Sequence, residues 1–343
     1  MARTKHSKTK KELLPFIPTG STLLNLAMSD KRTGGIRLGK MVNTIGDSSS
    51  GKTILALTAF AELARRKRFH KYRIVFDDAE AADQFDMKAL FSERIAARID
   101  KKQSATIEEF EANVMEYLDG DRPFFYVLDS FDALSSEADM EKAKKRIKAR
   151  KEGEKVKGSY GMEKPKFISA MLSRIIRKLD STQSVIDIIS QTRDNISATS
   201  FVKKTRRGGR ALKFYATHEM WMAIAKTLTK TVKGKKKVVG ILCRVKITKN
   251  KTTGKLREIE FPIYYDYGID DLGSCIDFLV AEGHWSGETK IKAKPFGEMS
   301  RAKLIRHIED NNLETELKKI VAKVWHEGEE ALKPNKGRKR KYS

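Results

Sequence analysis

Residues 46–53, Gly46-Asp47-Ser48-Ser49-Ser50-Gly51-Lys52-Thr53, have the spacing of a phosphate cradle, Gly-x-x-x-x-Gly-Lys-Thr. Two glycines let the backbone curl until successive N–H groups point at one anion, and the helix that must follow adds the positive end of its dipole. Lys52 supplies a mobile cation for outer phosphates, and Thr53 a hydroxyl for a magnesium ion. A Gly/Ser loop without a ligand is the plain alternative, and the flanks decide against it. Residues 40–45 read as a buried strand and residues 54–66, rich in Ala and Leu, as a helix. The loop therefore joins strand to helix, which is the setting the motif requires.

Phosphoryl chemistry also needs an acid near the metal and a group to orient the attacking water. Phe124-Phe125-Tyr126-Val127-Leu128-Asp129 is an apolar run ending in an acid, the form of a Walker B strand. That places Asp129 at the carboxyl end of a strand, where open α/β sheets bind ligands. The base is one of the acids of Asp77-Asp78-Ala79-Glu80, behind the apolar strand Arg73-Ile74-Val75-Phe76. Composition does not choose among them.

Elements that alternate between strand and helix from residue 41 to about 191 must position these groups. Strands are predicted at 41–45, 73–76, 124–128 and 184–189, with helices at 54–66, 107–118 and 166–179. Thr106-Ile107-Glu108-Glu109 fits a capping box, and Pro165 suits a first helical turn. Past Gly209 longer alternating strands follow, at 220–225, 238–249 and 256–265, joined by Lys233-Gly234-Lys235 and Thr252-Thr253-Gly254-Lys255 as hairpin loops. The fold class is α/β, a mostly parallel sheet covered on both faces and extended antiparallel at one edge. Residues 285–294 read as a polar connection, and 300–332 as two short helices of a small C-terminal module.

The chain has 343 residues, is 40% hydrophobic and carries a net charge of +25. That excess exceeds what solubility needs and points to a polyanionic partner. It concentrates at residues 3–11, at 142–157 with nine Lys/Arg against two Glu, at Lys203-Lys204-Thr205-Arg206-Arg207-Gly208-Gly209-Arg210, and at 336–341. Both ends are too charged and too poor in apolar residues to repay ordering entropy. No apolar run has the length of a membrane span, and the basic start lacks a signal-peptide core, which implies an intracellular protein without a membrane partner. Cys243 and Cys275 lie in separate apolar segments, which speaks against a disulfide framework or zinc cluster and for two small core residues.

The pieces also occur in the order of a known family. Ile17-Pro18-Thr19-Gly20-Ser21, the phosphate loop, Asp78-Ala79-Glu80-Ala81, Leu128-Asp129-Ser130, Arg177-Lys178-Leu179, Ile189-Ser190-Gln191-Thr192-Arg193, Gly208-Gly209-Arg210-Ala211-Leu212-Lys213-Phe214-Tyr215 and residues 244–251, ending Lys249-Asn250-Lys251, together resemble the RecA recombinases. The resemblance implies a RecA-type ATPase core at 16–284 after a basic arm at 1–15, a small C-terminal domain at 285–332 and a basic tail at 333–343. It implies ATP and magnesium as cofactors, DNA-dependent ATP hydrolysis, and a helical filament on single-stranded DNA that pairs with duplex DNA in recombination and repair.

Residue by residue, the resemblance makes Glu80 the carboxylate that polarises the attacking water, with Thr53 and Asp129 at the metal and Gln191 sensing the γ-phosphate. It puts DNA loops at 197–209 and 153–164 and DNA contacts at Arg177, Lys203, Lys204, Arg206, Arg207, Gly208, Gly209, Arg210, Arg244 and Lys246. Arg174 joins them from helix facing. Lys213 and Phe214 fall at the subunit interface, and Lys249 and Lys251 reach the phosphates of a neighbouring copy.

Departures from the family pattern are the short segment before Phe16-Ile17-Pro18, the shifted adenine-side pattern around Asp83 and Phe85, the longer insertion at 135–157 and the basic end. They fit a divergent, phage-encoded member in a bacterial cytoplasm. Two other classes share parts of the pattern: a hexameric helicase or translocase, which usually has an arginine finger where this chain has the lysine pair, and a non-catalytic mediator, against which intact Lys52, Thr53, Glu80 and Asp129 argue.

Overall fold

The structure is a computed structural model that describes residues 15–81, 87–151, 163–194, 204–206 and 209–333. The main strands are β1 (Met41–Gly46), β2 (Arg73–Asp78), β3 (Ile99–Lys102), β4 (Phe124–Asp129), β5 (Val185–Asp194), β6 (Lys204–Arg206), β7 (His218–Val232), β8 (Lys235–Asn250), β9 (Glu258–Tyr264) and β10 (Gly268–Ile269). They form one sheet in the order β10-β9-β8-β7-β1-β5-β4-β2-β3, with β6 on β5. Pairing is parallel from β7 through β1 to β3 and antiparallel from β7 to β10. Every residue of β1 and β4 is buried, as strands covered on both faces must be.

Helices α1 (Thr22–Ser29), α2 (Lys52–Ala64), α3 (Ile107–Leu118), α4 (Glu137–Lys151), α5 (Glu163–Thr182), α6 (Gly209–Tyr215), α7 (Asp271–Ala281), α8 (Arg301–Asp310) and α9 (Glu314–Ala331) complete the main elements. One apolar cluster gathers residues of α1, α2, α7, α8 and α9 under one face of the sheet; a second gathers α3, α5 and α6 under the other. In α3 the residues Ile107, Phe110, Val114 and Tyr117 recur at helical spacing and are buried. Its start carries the anticipated capping box, Thr106 accepting from the Glu109 N–H while Glu109 reaches back to the Thr106 N–H. Cys243 and Cys275 are buried free thiols.

Where the structure exceeds the sequence reading, the extra pairing lacks an apolar stripe. β7 and β8 run several residues further toward their turn than 220–225 and 238–249, because backbone ladder bonds hold a Lys/Thr stretch that has almost nothing to bury. Lys233 and Gly234 make the two-residue turn, with φ of 49° and 75°, the left-handed pair that matches ribbon twist. Edge strand β3 escapes sequence reading for the same reason. The connection read as polar at 285–294 contains buried Trp285, Ile291 and Ala293 and begins a small hairpin, Ile291–Ala293 with Gly297–Met299. Helix α9 has 18 residues and is not short. Helix α4, inside the basic insertion, is exposed along nearly its whole length.

The C-terminal helices are tied to the sheet edge and to α1 through Arg257. Its guanidinium, only 8% exposed, donates to Asp30 at 2.5 Å, to Glu329 at 2.9 Å and to the Leu26 and Ala27 carbonyls, with Trp325 packed against it. Lys318 pairs with Asp271 at 2.7 Å, and Arg301 with Asp277.

Beneath the middle of the sheet, Asp187 on β5 accepts the Thr44 hydroxyl of β1 at 2.9 and 3.1 Å while only 3% exposed. Burial pushes this carboxyl up to about 7. A folded-state value above the ordinary 3.8 means that ionisation costs native stability; the cost is absent below pH 4, grows between pH 4 and 7, and is constant above. Asp187→Asn keeps an acceptor for Thr44 and removes that cost. Its melting temperature relative to the parent should therefore climb from pH 4 to pH 7 and level off, and thermal unfolding across that range checks it.

Candidate functional site

The parallel register brings the ends of β1, β2, β4 and β5 to one edge. Gly46 pairs with Gln191 on one side and Met222 on the other, and Asp78 pairs with Asp129. The loop leaves β1 at Gly46, turns through Ser49 at φ 60° and Gly51 at φ 93°, and starts α2 at Lys52. A Cβ on Gly46 would stand 2.5 Å from the Met222 carbonyl oxygen, and one on Gly51 2.4 Å from Ile263 Cδ1. Both positions are closed to any other residue without a shift of their surroundings. The first N–H groups of α2 have no preceding carbonyl within the helix and face the turn, as an anion cradle requires.

Lys52 is buried, with Nζ donating to the Asp47 carbonyl at 2.6 Å. Burial pulls its pKa below the usual lysine range, with Asp129, Glu80 and Asp47 acting against that pull. The Thr53 hydroxyl donates to Asp129 Oδ2 at 2.5 Å. Burial pushes Asp129 up to about 6, the Thr53 hydrogen bond opposing and the nearby Glu80 charge adding to it. One hydroxyl and one carboxylate are a fitting protein share for magnesium, which takes few protein oxygens and completes its shell with phosphate and water. Consistently, the described residues contain no cluster of three or more His, Cys, Asp or Glu that could cage a metal unaided.

Glu80 lies just beyond β2, its Oε1 accepting from Ser130 Oγ at 2.5 Å and from Gln191 Nε2 at 2.7 Å. The Gln191 N–H in turn donates to Asp132 at 2.6 Å, and Thr192 Oγ1 donates to Asp47 in the phosphate loop. The structure thus joins Glu80, Gln191 and the cradle in one hydrogen-bonded set. Asp132 is not singled out by the sequence; it sits three residues past Asp129 in a helical turn, Phe131–Ala133, and no local pattern marks it. A cavity of about 960 Å³ opens from the cradle past Glu80 and Asp129 to Ile241, Ile263, Tyr264 and Tyr265. Those four walls come from β8, β9 and the residue after it, some two hundred residues along the chain from the loop, and sequence reasoning misses them.

Lys249 and Lys251 are elsewhere. Lys249 pairs with Glu219, which pairs with Asn43 near the start of β1, so both lysines leave the sheet at the end opposite the cradle. Lys249 Nζ donates to the Lys213 carbonyl and, at 2.9 Å, to the Phe214 carbonyl; Lys251 Nζ donates to Phe214 at 3.3 Å. These carbonyls end α6, where a helix terminus favours cations. Burial, then the neighbouring Lys251, lowers Lys249 to about 8. Phe214, 68% exposed, stands beside them, and Lys213 is exposed.

Of the nucleic-acid candidates, Arg177, Arg210 and Lys246 are at least partly exposed. Arg174 is held by Glu111 in a two-pronged bond at 2.8 and 2.9 Å. Arg244 is bound to Glu260 at 2.7 Å and lies 3.4 Å from Glu258, so it must exchange partners to hold a phosphate. Lys204 and Arg206 lie in β6, which pairs with β5 beyond Gln191, and Gly209 opens α6. Lys203, Arg207 and Gly208, Asp83 and Phe85, both chain ends, most of the segment 197–209 and nearly all of 153–164 lie outside the described residues. Among the described residues no helix is long and apolar enough to cross a membrane.

Comparison with known proteins bears on the family and the fold. The model of the RecA N-terminal domain matches residues 3–270. "Protein RecA" of Thermus thermophilus is 30% identical over 276 residues, covering 80% of this chain and 74% of that protein. "Protein RecA" of Caldanaerobacter subterraneus is 29% identical over 297 residues, covering 83% and 78%. That of Streptomyces ambofaciens is 30% identical, covering 80% and 67%. These relatives are bacterial and lend no support to a phage origin.

The glycine geometry gives a direct test of the cradle. Gly51→Ala places a side chain at positive φ and against Ile263, a strain of roughly 1–2 kcal/mol per residue. Binding of a fluorescent ATP analogue should weaken at least ~10-fold, as the loop must open to admit the methyl group. An affinity equal to the parent's would show that the anion binds elsewhere.

Proposed function

The chain belongs to the RecA family, and from that premise we propose that it is a DNA-dependent ATPase that assembles on single-stranded DNA and promotes homologous pairing and strand exchange. The observation that carries this reading is the bond between Gln191 and Glu80. It joins the group best placed to act on water to the strand against which part of the basic segment, Lys204–Arg206, pairs. A change at the phosphates has a short route to the nucleic-acid side, and the reverse.

In this reading the cradle N–H groups and Lys52 hold the triphosphate, and Glu80 orients water and accepts its proton. Gln191 shares Glu80 with Ser130, so its grip changes when a γ-phosphate competes for its amide. Thr53 and Asp129 hold magnesium, whose charge offsets that of the outer phosphates. Lys249 and Lys251 leave the sheet away from their own cradle, so they serve the nucleotide of a second copy. Charge stabilisation at the reacting phosphate is then complete only between neighbours. Phe214 and Lys213 belong to the same boundary. We also read 16–284 as the ATPase core, 285–332 as a small C-terminal module docked on it, Arg177, Lys203, Lys204, Arg206, Arg207, Arg210 and Lys246 as DNA contacts, and the bacterial cytoplasm as its setting.

Two measurements test this. Glu80→Gln preserves shape and loses the base, so ATP binding should persist while DNA-stimulated turnover falls by roughly 10²–10⁴-fold; turnover at the parent's rate would remove Glu80 from the reaction. Lys249 supplies the second. A phosphate brought beside it raises its value from about 8, so assembly with ATP takes up a proton. Assembly should weaken as pH rises through 8 and 9, and Lys249→Ala should flatten that dependence. Light scattering of the DNA complex across this pH range reads both.

A further inference from the structure

Helix α4 (Glu137–Lys151) buries nothing: every side chain of it that the structure describes is exposed. Its root is fixed. Ser135 exchanges backbone bonds with Ala105 and Ile107 at the start of α3, the Glu137 N–H donates to Glu108 at 3.1 Å, and the Asp139 N–H donates to Ser136 Oγ at 3.2 Å. From there the helix runs into solvent. At 15 residues it is marginal in water without tertiary packing. Its charges oppose it further, since Lys142–Arg146, Lys144–Lys148 and Arg146–Arg150 are like-charged pairs four residues apart, against the favourable pair Glu141–Lys145 at 3.0 Å. Acids in the first turn and cations in the last suit the helix dipole, but that effect fades within a turn of either end and does not account for Lys142, Lys144 and Arg146 in the middle. Residues 142–151 hold seven Lys/Arg and no Asp or Glu. Among the described residues Lys142, Arg146, Arg150 and Lys151 form no ion pair.

Helical spacing sorts these cations into two rows. At 3.6 residues per turn, and with Lys142 as origin, Lys142, Arg146 and Arg150 lie at about 0°, 40° and 80° around the axis, and Lys151, Lys144 and Lys148 at about 180°, 200° and 240°. The rows stand on opposite sides of the helix. Between them, at about 100°, 140° and 160°, come Ala143, Ile147 and Met140. Ile147 is 59% exposed and Met140 40%. Glu141 and Lys145, paired with each other, lie at about 260° and 300°, on the back. In cross-section α4 therefore has a narrow apolar strip, a wall of cations on either side of it and a neutralised back. That is the section of a rod made to lie in a trough with anionic walls.

Resting on the DNA-binding reading above, we propose that α4 seats lengthwise in the major groove of duplex DNA, one cation row on the phosphates of each strand and the strip Met140, Ala143 and Ile147 on the groove floor. The helix lies in the insertion at 135–157 that departs from the family pattern, and the loops that the resemblance assigns to DNA, 153–164 and 197–209, do not include residues 137–151. Four observations choose the occupant. A helix with its side chains is about 10–12 Å across and the major groove about 12 Å wide, so the opposed rows meet both walls at once. The floor of that groove offers thymine methyl groups to a narrow apolar strip. Residues 137–151 contain neither Leu nor an aromatic side chain, so the helix lacks the broad apolar face that a membrane surface takes and the platform on which unpaired bases stack. Cations of one sign on two sides match a uniform polyanion and not a folded protein surface of mixed charge.

The test uses the full chain with a fluorescent ATP analogue and measures affinity for duplex and for single-stranded DNA across a salt series. Changing Lys142, Arg146 and Arg150 to Gln should reduce the duplex slope of log K against log salt by about 2.7, at roughly 0.9 per lost phosphate contact. Changing Lys144, Lys148 and Lys151 to Gln should reduce it by the same amount, and Lys145→Gln, on the back, by less than about 0.5. Ile147→Pro keeps every cation and breaks the rod, so duplex affinity should fall at least ~10-fold. Because α4 buries nothing, each variant should bind the ATP analogue as the parent does, which reports that the core is folded. An unchanged duplex slope in both triple variants overturns the role of α4 alone. A loss confined to one row overturns the groove seat, and so does parental duplex affinity in Ile147→Pro. Slope losses on single-stranded DNA as large as those on duplex overturn the choice of duplex. If the parent binds neither form of DNA, the functional reading itself falls and this role of α4 with it.

Discussion

Strand β1 paired in parallel between β5 and β7 is the constraint on which the site depends. Because Gly46 is level with both Gln191 and Met222, the cradle, the strand that carries Gln191 and the first antiparallel strand are aligned on one line. A slip of one residue in either pairing would turn alternate side chains to the wrong face. Buried cross-links resist such slips. Asn43 donates to the Ile188 carbonyl and to Ser190, and Thr44 to Asp187, all between β1 and β5. These polar contacts cost desolvation, and in exchange they allow only one register, which apolar pairing of Val and Ile would not do.

That register also determines which groups meet within one chain. Groups at the carboxyl ends of the parallel strands meet around the cavity, and groups at the other end, the lysine pair at the end of β8 among them, are kept away from it. Lys249 and Lys251 are held meanwhile by the last carbonyls of α6, a mild electrostatic parking place from which a stronger anion can draw them. Desolvation lowers Lys249 to about 8, so its charge is sensitive to whatever approaches Phe214.

Much of this is legible from the chain alone, for identifiable reasons. The cradle, Asp129 and α3 announce themselves locally, through glycine spacing, an apolar run ending in an acid, and a capping box. The choice of Glu80 over Asp77 and Asp78 comes from family resemblance; in the structure Asp77 is buried and receives Ser104 and Tyr126, while Glu80 faces the site. What is not legible arises from pairing between distant segments. Tyr264 and Tyr265 line the cavity only because β9 returns beside β8, and Asp132 meets Gln191 only across two strands. The ribbon of β7 and β8 reads as a turn with flanking strands, but its length and the side on which its lysines fall depend on register shifts that leave no mark in composition.

Arg257 has a mechanical consequence. One buried guanidinium holds the end of α1, an edge strand of the sheet and the last long helix in a single knot, satisfied on every side by carboxylates and carbonyls. Pulling α9 away would take both Glu329 and Trp325 from that guanidinium and leave it only Asp30 and the α1 carbonyls, so the helix does not swing as an independent lever. Torque applied to it is handed to the β8–β9 edge, whose other end walls the cavity beside the cradle.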